Sequence, residues 1–159
     1  MPERPVCRLD ELEPTDAVLV SAFRHWAVGV SQWRTEAWVE VWAAFRQLLG
    51  PDRGPADTLR SFDAVMQVIG RHARREIQFH GPHCPCVDAD ELDFLRLVHA
   101  LGRGEERAPR RIAAAFVRPQ GVDGLLANGR RFARHWRELV SARPGSDAWM
   151  APGLADTVH

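Results

Sequence analysis

The stretch ADTLRSFDAVMQVIGRHARREIQFH, Ala56 to His80, decides how this chain is to be read. Leu59, Phe62, Val65, Met66, Ile69, Ala73 and Ile77 recur at the three- and four-residue spacings of one helix face. Gly81 and Pro82 supply a stop. The pattern therefore predicts one long helix over 56–80. On a wheel turning ~100° per residue, Glu76 falls about 40° from the centre of the apolar stripe, His80 lies on it and His72 sits at its flank. A core-facing carboxylate between two histidines at i, i+4 and i+8 must be paired, placed at a helix end or bound to a ligand, because an isolated buried charge is costly. Arg71, Arg74 and Arg75 turn away from the stripe and read as a solvated face.

Just beyond this helix the chain concentrates side chains that ligate metals or exchange disulfides. HARREIQFHGPHCPCVDADE, His72 to Glu91, holds three of the seven histidines, two of the three cysteines and four carboxylates. Asp88 and Glu91 have the D-x-x-E spacing of a capping box, so Asp88, Asp90 and Glu91 read first as the start of a helix through Leu92, Phe94, Leu95, Val98 and Leu101, ending near Gly102. His99 falls on its polar side.

Upstream, a helix from Thr15 or Asp16 carries Leu19, Ala22, Phe23, Trp26 and Val30, and a second from about Gln32 to Leu49 carries Trp38, Val41, Trp42, Phe45, Leu48 and Leu49. Trp26, Trp33, Trp38 and Trp42 read as an aromatic core between these two helices, with surplus area at Trp33, Trp38 and Trp42 for a homodimer. Downstream, Pro109 suits the first turn of a fifth helix through Ile112, Phe116 and Val117, which Pro119 closes. A sixth, Val122 to Ser141, carries Leu125, Leu126, Phe132, Trp136, Leu139 and Val140. No stretch sustains the two-residue alternation of a strand. The expectation is an all-α, single-domain bundle of five to six helices over 15–142, with a loosely packed leader at 1–14 and a tail at 143–159.

Composition narrows the function. At 159 residues the chain buries roughly 70% of its unfolded surface without a staple. A formal net charge of zero argues against bulk attraction to nucleic acid or anionic membranes. Arg130, Arg131, Arg134 and Arg137 follow a helix, glycine, helix rhythm, but the second helix carries a full apolar stripe, so nucleic acid is not expected as a partner. All basic residues other than histidine are arginine, as in a GC-rich bacterial genome. No membrane span and no secretory start are visible, which places the chain in the cytoplasm, where three cysteines do not form a disulfide framework. Cys7 reads as a bystander.

Three chemistries compete for the cluster. His80, His83, Cys84 and Cys86 combine thiolate and imidazole, the set that zinc accepts in a tetrahedral site, with His72 and Glu76 as alternates. H-x3-E-x3-H matches neither the zincin H-E-x2-H nor the E-x2-H of helical di-iron proteins, which favours a structural or sensory zinc acting through a protein partner over catalysis. Cys84-Pro85-Cys86 resembles the short active motif of certain helical thiol oxidases, which implies disulfide exchange at Cys84 and Cys86; their paired C-x9-C framework is missing. Cys84-Pro85 also resembles the Cys-Pro dipeptide of haem-responsive regulators, which implies a thiolate axial ligand. No Walker loop, Rossmann fingerprint or G-x-S-x-G is present. The sequence thus reads as a binding or sensing protein rather than an enzyme.

Overall fold

The computed structural model describes residues 6–32, 36–49 and 56–141. Among them are six α-helices: α1 (Pro14–Gln32), α2 (Glu36–Leu49), α3 (Ala56–His72), α4 (Ala89–Gly102), α5 (Arg107–Phe116) and α6 (Pro119–Ser141). A short antiparallel ladder joins β1 (Cys7–Arg8) to β2 (Cys86–Val87). The all-α reading holds. Trp33 and the tail from Arg143 lie outside the described residues.

The apolar stripes meet where the periodicity places them. α6 lies against α2, α3, α4 and α5, while α1 lies against α2 and α4. Their shared centre is a run of aromatic rings contributed by five helices. Phe23 meets Phe94 at 5.0 Å between centroids, and Phe62 meets Phe45 and Phe132 at 5.5 Å each. Trp136 then meets Phe45 at 5.4 Å. Edge-on and tilted pairs of this kind add about 0.5–1.5 kcal/mol to the burial of the rings themselves.

Two glycines let α6 approach its neighbours. A Cβ on Gly121 would lie 2.6 Å from the Cβ of His72, and one on Gly129 would lie 2.5 Å from Leu101 Cδ1. Pro119 does not close α5 as the sequence implied; it is the first residue of α6, where its missing N–H costs nothing.

The largest departure is the end of α3. The helix stops at His72, eight residues before the predicted His80. There the backbone is captured by the α5–α6 junction: Arg118 N–H donates to His72 O at 2.8 Å and Arg74 N–H to Phe116 O at 3.1 Å, around an Ala73 to Val117 bridge. Residues 76–80 run without regular structure. Ile77 and Phe79 pack on the core while Glu76 and Gln78 are exposed. Glu76 therefore needs no buried partner.

Of the expected leader at 1–14, the described residues begin at Val6. Val6 to Leu9 lie along the cysteine loop, and Leu9 and Leu12 pack against the core.

Candidate functional site

A fully buried arginine organises the cysteine segment. Arg24 sits one turn after Val20 on α1, beside Phe23, and its side chain is 0% exposed. Its Nε donates to Glu91 Oε1 at 2.6 Å and its Nη2 to Glu91 Oε2 at 2.9 Å. Nη1 donates to Cys84 O at 2.7 Å and to Gly81 O at 3.4 Å, and Nη2 donates to Cys86 O. A guanidinium has five N–H donors, and all five find acceptors here.

Glu91 is equally committed. Besides Arg24 it accepts from Asp88 N–H at 2.8 Å, closing the capping box, and from His80 N–H at 3.2 Å. Asp88 accepts from Ala89 N–H at 2.7 Å. The neighbouring Asp90 accepts from Arg75 Nη1 at 2.7 Å and from Gln78 N–H at 2.8 Å. Burial pushes the Asp90 carboxyl up, but Arg75 and the Gln78 amide outweigh it and hold it below the usual carboxylate range. Arg75 is thus not simply part of a solvated face. The first turn of α4 starts its helix, as predicted, and also holds the incoming segment 75–80.

The cysteine segment is gripped from two sides in alternation. The carbonyls of Cys84 and Cys86 point to Arg24. Those of Pro85 and Val87 accept from Leu9 N–H at 2.8 Å and Val6 N–H at 2.9 Å. A turn precedes this run, with Cys84 N–H donating to Gly81 O at 3.0 Å.

Because these carbonyls alternate as in an extended strand, the i and i+2 side chains of Cys84 and Cys86 share one side of the segment, and both are half-buried. The Cys86 thiol is pushed up first by its hydrogen bond with Cys84, then by burial and by the Cys84 charge, against the pull of Arg8 and Arg24. Cys7 stands opposite Val87 in the ladder, and its thiol is raised by burial, then by Glu11 and Glu91.

The histidines are more dispersed. His80 Nε2 is buried without a hydrogen-bond partner among the described residues, 3.8 Å from Asp88 Oδ2. His83 is exposed and acts electrostatically on His25 of α1, whose imidazole is lowered chiefly by burial. His72 packs its Cβ against Gly121 at the end of α3, and Glu76 faces solvent. The predicted i, i+4, i+8 array of His72, Glu76 and His80 is not formed, because the helix ends at the first of them. Among the described residues, no three His, Cys, Asp or Glu side chains converge as a metal-holding group.

Arg24 is the residue that sequence reasoning passed over. A charged side chain on the edge of the α1 stripe, beside core positions Val20 and Phe23, was the available signal. Its partner lies 67 positions away, beyond any local pattern.

No family model matches the chain, and no solved structure matches it. Over 72 residues it is 31% identical to the UDP-3-O-acyl-N-acetylglucosamine deacetylase of the bacterium Phenylobacterium zucineum (strain HLK1). That stretch is 45% of this chain and 25% of the deacetylase, so the chain spans a quarter of that relative's length. Among the described residues no helix is long and apolar enough to cross a membrane.

Proposed function

We propose that Cys84 and Cys86 form a reactive dithiol that exchanges with disulfides, in a redox-sensing role read by a protein partner. The observation that carries this reading is that two half-buried cysteines two residues apart sit on a segment whose carbonyls from Cys84 to Val87 are all hydrogen-bonded. Both cysteines are partly accessible, which exchange with an incoming disulfide requires.

In the exchange, one thiolate of the pair attacks a sulfur of an incoming disulfide and forms a mixed disulfide. The departing thiolate of the incoming molecule takes up a proton. The second cysteine, as thiolate, attacks the first and expels the other half. The pair gives up two electrons and two protons, and the incoming disulfide becomes two thiols. Titration with glutathione disulfide, followed by mass spectrometry of the alkylated protein, tests this reading. Closure between Cys84 and Cys86 supports it; a mixed adduct that never resolves onto the second cysteine counts against it.

A zinc-type site is the second reading, favoured by the buried, unpartnered Nε2 of His80 near Asp88. The donors of this reading are the thiolates of Cys84 and Cys86 and the imidazoles of His80 and His83, of which His83 is exposed. Elemental analysis of protein purified without added metal separates the readings: one equivalent of zinc, lost on Cys84→Ser/Cys86→Ser, selects the metal, and a Soret band selects haem at Cys84.

A further inference from the structure

The same guanidinium holds the carbonyls of both thiol-bearing residues, and Pro85 between them has its φ fixed by its ring. A planar cation with every donor engaged sets the spacing of these two peptide groups more tightly than a surface loop sets its own. We infer that Arg24 is the positioning residue of the dithiol, holding Cys84 and Cys86 open in the reduced state and tying their closure to the α1–α4 junction. This inference rests on the dithiol reading.

Covalent closure draws the sulfurs to about 2.05 Å and imposes a dihedral near ±90°. In an i, i+2 pair the ring so formed contains the Pro85–Cys86 peptide, with the Cys86 carbonyl attached at its edge, and also the Cys84–Pro85 peptide. Turning that peptide carries the Cys84 oxygen off Nη1 of Arg24. The guanidinium, fully buried, then has a donor without an acceptor, a condition that folded proteins avoid. Arg24 therefore opposes closure.

The consequence reaches beyond the loop. Glu91 holds Arg24, the Asp88 amide and the His80 amide together, so a displaced guanidinium loosens the first turn of α4 and its seam with α1. A partner that binds this junction would distinguish the open dithiol from the closed disulfide without touching sulfur.

The test compares the full chain with Arg24→Met/Glu91→Gln, which removes both charges while glutamine keeps the capping position. Each protein is equilibrated in glutathione buffers of increasing oxidation, and closure is read by alkylation and mass spectrometry. Circular dichroism reports the fold. The double variant should close with an equilibrium constant about tenfold larger, which is about 30 mV for a two-electron couple. Arg24→Lys, with three donors in place of five, should fall between.

A folded double variant with the wild-type equilibrium constant overturns the inference and leaves the dithiol reading intact. Absence of closure in the wild type overturns both. If the double variant loses its helical signal, Arg24→Lys decides alone: a shift toward closure supports the inference, and an unchanged constant overturns it.

Discussion

Arg24 and Glu91 form a two-point ion pair with both side chains 0% exposed, joining α1 to the first turn of α4. A buried pair of this kind adds little net stability over an apolar replacement, but removing one partner strands the other charge. Arg24→Met alone should lower stability by about 3–5 kcal/mol. Arg24→Met/Glu91→Gln should recover a substantial part of that loss. Urea denaturation of the three proteins measures it, and equal losses for the single and double variants would show that Glu91 is not what Arg24 neutralises.

The two close glycines of α6 should respond differently to alanine. Alanine in a helix interior gains about 1 kcal/mol over glycine before packing is counted. At Gly129 the obstructing atom is Leu101 Cδ1, the far end of a side chain that can turn aside. At Gly121 it is the Cβ and ring of His72, which cannot retreat without moving α3. Gly129→Ala should be near neutral, and Gly121→Ala should cost about 1–3 kcal/mol. The reverse order in thermal melts would mean that the α3–α6 seam is looser than described.

His99 on α4 meets Asp16 on α1 at 2.7 Å. The hydrogen bond to Asp16 raises the imidazole above its ordinary range, outweighing burial. A group whose folded pKa is raised binds more protons in the folded state, so its contribution is complete below the unfolded value of about 6.5 and fades as pH rises through the folded value. The stability difference between wild type and His99→Gln should be largest in mild acid and shrink toward alkaline pH. A difference that grows as pH rises would contradict the pairing.

Trp38 and Trp42 remain 40% and 39% exposed on α2, and Trp42 lies beneath the Arg46 guanidinium at 4.7 Å. Exposed aromatic area of this kind is what a symmetric dimer covers. Sedimentation at tens of micromolar should show a dimer that Trp38→Ala/Trp42→Ala disperses. A monomeric wild type would return these side chains to an ordinary surface.

The helices were legible where a single periodicity governed a stretch, as in Leu19 to Trp26 or Leu125 to Leu139, and where a local signal marked an end, as at Asp88 and Glu91. The end of α3 was hidden because Ala73 and Ile77 continue the helical stripe, while the bonds that end it come from Arg118 and Phe116, remote in sequence. Ile77, Gln78, Phe79 and His80 alternate in polarity, a short strand-like signal that the longer stripe concealed. The place of Val6 to Leu9 was hidden for a similar reason. Val6 and Leu9 gain their place through backbone amides, and side-chain patterns do not encode those bonds. Within the candidate site, Cys84 and Cys86 stood out as residues, whereas the buried cation that holds them was visible only once α1 and α4 were brought together.

The most direct measurement of the central claim is differential alkylation of the reduced protein and of protein equilibrated with glutathione disulfide, read by mass spectrometry at each cysteine. A reactive dithiol predicts that Cys84 and Cys86 are both labelled when reduced. After oxidation they should be protected together, with the loss of two hydrogen atoms, while Cys7 remains open to reagent and reductant restores the labelling. Labelling of Cys84 and Cys86 that is unchanged by oxidant, or protection that a chelator rather than a reductant removes, would contradict it.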